Sequence, residues 1–160
     1  GGSGTAMFWW WDQLDRQDAY GHYRPLAQFL KGVSFSGLDA IKAALPDSDA
    51  RILGYQSRDC AYFWLSDPKA TWWNLVVEKQ ELAETKPAPI EIQGLAPGDY
   101  SVEWWDTRTG AVVRSDRVSF TTGTFTAAVP PFKRDIKFCC FAIHYYNSAF
   151  VLRRTWYDCG

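Results

Sequence analysis

Residues Met7-Phe8-Trp9-Trp10-Trp11 make an unbroken apolar run, entered through Thr5-Ala6 and closed by Asp12. A run of this kind, without alternation, suits a strand buried on both faces, as in a parallel sheet. Three consecutive tryptophans strain a purely packing explanation, because each indole N–H needs a partner when buried. A helical pattern follows. After the polar opening Asp15-Arg16-Gln17-Asp18, residues Tyr20, Tyr23, Ala27 and Leu30 fall at helical spacing, with Leu26 and Phe29 beside them. Pro25 interrupts the pattern, so the regular helix is expected to start near Arg24 with proline in its first turn, and Gly32 to stop it. Thr5–Val33 thus reads as one strand–helix unit. A lone parallel strand cannot make a sheet, and the unit is expected to complete a larger one that this polypeptide does not contain.

The rest of the chain has a different rhythm. Ser34 to Asp49 is a connector in which Leu38, Ile41 and Leu45 hint at a short helix, although an extended segment fits too; Pro46-Asp47-Ser48-Asp49 breaks whichever forms. Arg51–Gln56 and Cys60–Leu65 flank the polar turn Ser57-Arg58-Asp59 and read as a hairpin. Leu75-Val76-Val77 is expected to be a short strand, and the charged segment Glu78 to Pro89 a linker. Pro89–Gln93 and Tyr100–Trp105 are strands around the turn Gly94-Leu95-Ala96-Pro97-Gly98-Asp99. Alternation sends one of Trp104 and Trp105 inward and the other outward. Thr107-Arg108-Thr109-Gly110 supplies the next turn. Ala111–Val113, Arg117–Thr121, Phe125–Val129 and Arg134–Ile143 complete the series. Several short strands at near-regular spacing indicate an antiparallel β-sandwich. The tail, His144–Gly160, lacks a clear period and is expected to be less ordered; a truncation, a changed reading frame or an extra edge strand would each look like this.

Composition narrows the function classes. Net charge is −1 with no basic block, which argues against a nucleic-acid partner. No apolar run reaches the ~18 residues of a membrane span. No secretory signal is visible, which says nothing about export if the chain is a piece of a longer one. Gly1-Gly2-Ser3-Gly4 reads either as an added linker or as the natural loop before the strand. Cys60, Cys139, Cys140 and Cys159 show no CxxC spacing and there are only two histidines, so no metal site and no cofactor is expected. The cysteines read as buried thiols, with one disulfide allowed if the protein is exported; Cys139 and Cys140 would face opposite sides of a strand. His22 reads as a surface or capping residue. Nine Trp, eight Tyr and ten Phe admit two readings, a β-rich core or carbohydrate contact. Indole faces stack on the C–H patches of a pyranose while neighbouring polar groups take its hydroxyls.

The segment Gly4-Thr5-Ala6-Met7-Phe8-Trp9-Trp10-Trp11-Asp12, followed by Tyr20-x-x-Tyr23-x-Pro25-Leu26-Ala27-x-Phe29-Leu30-x-Gly32, resembles the eighth strand and eighth helix of a (β/α)8 glycoside hydrolase of the family 5-like type (clan A). The second half, Gly94-Leu95-x-Pro97-Gly98-x-Tyr100-x-Val102-x-Trp104-Trp105-Asp106-Thr107-x-Thr109-Gly110, with Trp64 and the Trp72-Trp73-Asn74 loop upstream, resembles the small β-sandwich after such barrels, a module that carries a collagen-binding label. The resemblance runs from Gly4 to Ile136. It implies a mainly β chain: an antiparallel β-sandwich preceded by a strand–helix remnant of a (β/α)8 barrel. The divisions are a strand–helix unit (1–33), a connector (34–50), the sandwich (51–143) and a tail (144–160).

The resemblance also implies a polysaccharide or oligosaccharide as substrate of the parent enzyme, a missing N-terminal barrel of that parent as partner, and an extracellular or periplasmic location. Trp10 or Trp11 would floor a sugar subsite, with Asp12 capping the helix or meeting sugar hydroxyls. Retaining hydrolases of this clan use two glutamates roughly 5 Å apart. In the resembled family these lie on strands four and seven, upstream of this chain. Glu78, Glu81, Glu84, Glu91 and Glu103 fall on a charged run or on sandwich strands, so no catalytic residue is expected here. The expected role is therefore a non-catalytic C-terminal part of a glycoside hydrolase, whose sandwich braces the barrel or holds carbohydrate. The other readings are a stand-alone module binding carbohydrate or protein through Trp72, Trp73 and Trp105, and a purely structural sandwich.

Overall fold

Asp18 adopts a left-handed backbone (φ 45°) and Pro25 cannot donate a helical hydrogen bond, so the region after Trp11 forms three short pieces instead of one helix. In the computed structural model, which describes residues 11–143, these are α1 (Trp11–Arg16), a 3-10 turn (Ala19–Tyr23) and α2 (Arg24–Phe29). α2 starts where expected, with proline in its first turn, and Gly32 follows at φ 81°. Of the expected opening strand, residues up to Trp10 lie outside the described residues, and Trp11 and Asp12 begin a helix instead.

Nine strands follow among the described residues: β1 (Asp39–Ala40), β2 (Ala43–Ala44), β3 (Arg51–Gln56), β4 (Cys60–Ser66), β5 (Ala88–Ile92), β6 (Gly98–Trp105), β7 (Val112–Phe120), β8 (Phe125–Val129) and β9 (Asp135–Ala142). They pair antiparallel into a six-stranded sheet, β1-β3-β4-β9-β6-β7, and a three-stranded sheet, β2-β5-β8. The protein is thus mainly β, an antiparallel sandwich preceded by short helices. Its core lies between the sheets: Phe63, Leu65, Val102, Trp104 and Phe138 from one, Ile90, Ile92, Phe125 and Val129 from the other. The Phe63 and Phe138 rings stack at 4.3 Å, and Trp104 meets Phe138 edge-on at 4.8 Å.

Of the two readings open for the 34–50 segment, the structure has the extended one, because Ile41, Ala43 and Leu45 alternate toward the core; the spacing of four between Ile41 and Leu45 imitates a helix. Two departures from the sequence reading have physical causes. Leu75–Val77 belongs to a π-helical turn, Trp73–Val77, closed by Glu78 N donating to Trp73 O at 3.0 Å. Residues 111–121 hold one strand, β7, rather than two. Its polar centre, Arg114-Ser115-Asp116, resembles a turn but is tolerated on an edge strand, and a bulge opposite Trp104 and Trp105 absorbs the irregularity.

The sandwich also has a second apolar layer. Cys60, Tyr62 and Cys139 project from the outer face of β4 and β9 and pack with Phe29, flanked by Leu30, Val33, Leu38, Trp105 and Phe141. α2 therefore lies on the outside of the six-stranded sheet. Cys139 faces this layer and Cys140 the main core, as strand alternation requires, and Cys60, Cys139 and Cys140 are all buried thiols. Cys159 lies outside the described residues.

Two polar side chains pin the ends. The Tyr100 hydroxyl donates to the Ala96 carbonyl at 2.7 Å and toward that of Arg58 at 3.2 Å, the geometry of a tyrosine corner. Burial pushes this hydroxyl well above its ordinary range, so it stays a donor. Gln56, 5% exposed, accepts from Lys42 N at 2.8 Å and donates to Gln93 O at 2.7 Å, linking the two sheets.

Tyr100→Phe removes the buried hydroxyl that donates to Ala96 and Arg58 and is expected to lower stability by about 1–2 kcal/mol, read as a fall in urea midpoint at unchanged m-value. Gly110 sits at φ 71°, and a Cβ there would stand 2.9 Å from Pro25 Cα in α2. Gly110→Val is expected to lose about 1–3 kcal/mol and to open residues 11–38 to limited proteolysis before the sandwich unfolds.

Candidate functional site

The turn after β4 carries the most exposed pair of large aromatics on the sandwich, Trp72 (67%) and Trp73 (56%). Local hydrogen bonds hold this turn in place. Asp67 N donates to Arg134 O at 2.8 Å, tying its start to the residue preceding β9. Asn74 N donates to the Thr71 hydroxyl at 3.1 Å, and the Asn74 amide donates to Lys69 O at 2.9 Å. Lys79, at φ 52°, bends the chain so that Gln80 N reaches Asn74 O at 2.8 Å. The indole of Trp73 donates to Glu78 Oε1 at 2.8 Å. Val76 and Val77 are exposed on the same turn. A stiff turn bearing uncovered indoles with polar groups alongside can stack on a sugar and take its hydroxyls.

Other sequence-derived candidates stand elsewhere. Trp11 is 68% exposed at the start of α1, and Asp12 forms an ion pair with Arg16 one turn on, within the same helix. Trp10 lies outside the described residues. Trp105 does project outward, opposite Trp104, but under α2: its ring meets Phe29 edge-on at 6.0 Å and its indole N–H donates to Glu103 Oε2 at 3.1 Å. It is half-buried and lies in the second apolar layer, apart from the Trp72–Trp73 turn in the sequence and in its contacts. Trp104 is fully buried, with no hydrogen-bond partner for its indole nitrogen among the described residues. The glutamates are dispersed: Glu78, Glu81, Glu84 and Glu91 are exposed, and Glu103 sits beneath Trp105. His22 is exposed, and no cluster of metal-ligating side chains occurs among the described residues.

Sequence reasoning missed an electrostatic feature at the same end of the sheet. Trp64, Lys137 and Trp105 stand side by side on β4, β9 and β6. Lys137 is only 2% exposed, its ammonium 5.2 Å from the centre of the Trp64 ring and 5.4 Å from that of Phe29. Cation–π attraction to both rings replaces part of the lost hydration. Burial lowers this ammonium below the usual lysine range, while Asp135 and Asp106 act in the opposite direction. Asp135 accepts from the Trp64 indole at 3.1 Å and from the Thr107 hydroxyl at 2.5 Å. A lysine amid apolar strand residues was the available signal.

An open depression lined by Pro97, Gly98, Asp99, Ser119, Phe120 and Thr121 lies at the opposite end of β6 from Trp105. Ser119 donates there to Asp99.

These elements define a class by architecture: a two-sheet antiparallel sandwich with a helical segment on its outer face. Three solved structures are similar in fold. One is titled a glycoside hydrolase (TM-score 0.49, 12% identity, covering 88% of this chain and 29% of that one). Another is a GH30 endoxylanase from Clostridium papyrosolvens (TM-score 0.44, 18% identity, 74% and 26%). A third is a family 5 glycoside hydrolase from Bacteroides vulgatus (TM-score 0.44, 12% identity, 83% and 26%). The chain therefore spans between 26% and 29% of the length of these proteins. No protein-family model and no curated protein matches it. Among the described residues no helix is long and apolar enough to cross a membrane.

The turn against α2 provides a pH test. The Thr109 backbone N–H, at 2.6 Å, holds the Asp106 carboxyl below its usual range; burial opposes this, and the Thr109 hydroxyl and Arg108 N–H reinforce it. A folded-state value below the unfolded one means that the ionised form stabilises the fold. That contribution is full above about pH 4 and is lost as the pH falls through the folded value. Asp106→Asn is expected to flatten the decline in urea midpoint between neutral pH and about pH 2; an unchanged slope would remove Asp106 from the account.

Proposed function

We propose that this chain is the non-catalytic C-terminal part of a polysaccharide-degrading glycoside hydrolase. In this reading the sandwich braces the barrel of the parent enzyme, and Trp72 and Trp73 hold carbohydrate near it. The observation that supports it best is the second apolar layer, in which α2 is packed as part of the sandwich while Trp11, Tyr20 and Leu26 on the same helical segment stay exposed. A segment bonded to the sandwich on one side and bare on the other is suited to continue into another body. The motif resemblance of Gly4–Gly32 to a last barrel strand and helix names that body. Trp10 and Trp11 would then reach a sugar subsite, with Asp12 nearby, and the parent would act outside the cell or in the periplasm.

A second reading is a stand-alone module binding carbohydrate or protein, favoured by the exposure of the Trp72–Val77 turn alone. The coding sequence upstream of Gly1 separates the two. A continuous frame encoding a barrel with two glutamates at strand ends is expected. A start codon and secretion signal directly ahead of Gly1 would sink the parent enzyme and leave the stand-alone module. The isolated chain is expected to release no reducing sugar from soluble polysaccharides; measurable release would refute the non-catalytic assignment.

A further inference from the structure

We infer that the Trp72–Trp73 turn takes one glycan chain at a time and does not lie flat on the ordered face of an insoluble polysaccharide. The inference rests on the carbohydrate-holding role proposed above for these two residues. Its ground is angular. A flat crystalline surface is met by aromatic rings set side by side in one plane, as on alternate residues of a strand, where side chains repeat on one face. Trp72 and Trp73 are instead consecutive and helical: Trp72 has φ −54° and ψ −41°, and Trp73 opens the π-helical turn. Consecutive side chains on such a turn leave its axis about 80–100° apart. Both are nevertheless uncovered, so the indoles flank the turn on two sides. The hydrogen bond from the Trp73 indole to Glu78 fixes one of them in that orientation.

The surroundings also suit a glycan. Glu78, bonded to the Trp73 indole, and the next two residues, Lys79 and Gln80, are exposed and carry hydroxyl-matching donors and acceptors. Val76 and Val77 lie four residues after Trp72 and Trp73 respectively, extending each indole with an apolar patch for sugar C–H groups. One sugar ring stacks on each indole, and the chain bends around the turn between them.

The test uses the whole chain in affinity electrophoresis through gels holding soluble xylan, mixed-linkage β-glucan or galactomannan, alongside sedimentation with crystalline cellulose. Retardation by at least one soluble glycan without sedimentation is expected. Trp72→Ala and Trp73→Ala should each weaken it roughly tenfold. Both side chains are exposed, so an unchanged urea midpoint shows that the variants stay folded. Sedimentation with cellulose in the absence of retardation overturns the single-chain geometry while leaving carbohydrate binding. Retardation that survives both substitutions overturns the site. No binding in either format overturns the carbohydrate role as well. The parent-enzyme reading is decided separately, by the upstream coding sequence.

Discussion

β4 and β9 are buried on both faces, and that constraint organises the protein. Ala61, Phe63 and Leu65 of β4, with Ile136, Phe138 and Cys140 of β9, point into the sandwich. Cys60, Tyr62 and Cys139 of the same strands point away from it and are just as dry. A sandwich sheet usually turns polar side chains to water on its outer face. Here that face is apolar at its centre and needs a cover, which α2 supplies through Phe29. Full burial of a phenylalanine contributes about 1.5–3 kcal/mol, comparable to the net effect of several hydrogen bonds. The helical segment is therefore part of what holds the six-stranded sheet together.

The same cover explains the charge placed beneath it. Lys137 occupies an outward position on β9, where a lysine would ordinarily reach water. With α2 above it, the ammonium lies between Phe29 and Trp64 instead. Its neighbours among the described residues are the two rings rather than a carboxylate at salt-bridge distance. Asp135 has both oxygens committed to Trp64 and Thr107 and acts on Lys137 only through space. The arrangement ties β4, β9 and the Asp106–Gly110 turn to the helix at one end of the sheet.

Much of the sandwich was legible because strand residues repeat with period two and turns have their own chemistry. Phe125–Val129 is a strand with the bounds its alternation gave, and the turn from Gly94 leads into β6, which starts at Gly98, two residues ahead of the expected Tyr100. The second layer was not, although a trace was present: Cys60–Leu65 and Ile136–Phe141 are apolar with almost no polar alternation, the mark of strands covered on both sides. What covered them was not readable, because Phe29, Leu38 and Trp105 are distant in sequence. The Trp72–Trp73 candidates were legible as exposed aromatics in a loop. Their angular relation was not, since it depends on a π-helical turn that ends in Val76 and Val77, β-branched residues that favour strands in isolation.

That turn is also where the rigidity of the sheet becomes useful. Loops as a class are mobile, and an indole on a mobile loop loses side-chain and backbone freedom on meeting a ligand. The Trp72–Val77 turn leaves β4 at Ser66, whose neighbour in the sheet is Asp135 of β9, and Asp67 is hydrogen-bonded to the residue preceding β9. It thus begins at the two strands that are packed on both faces. Its own hydrogen bonds, from Thr71 to Gln80, close the backbone without help from any partner. The doubly covered strands make the sheet stiff, the stiff sheet fixes the turn, and the fixed turn presents its indoles already ordered. Preorganisation of this kind raises affinity without adding contacts, and the carbohydrate-holding role proposed for Trp72 and Trp73 would draw on it.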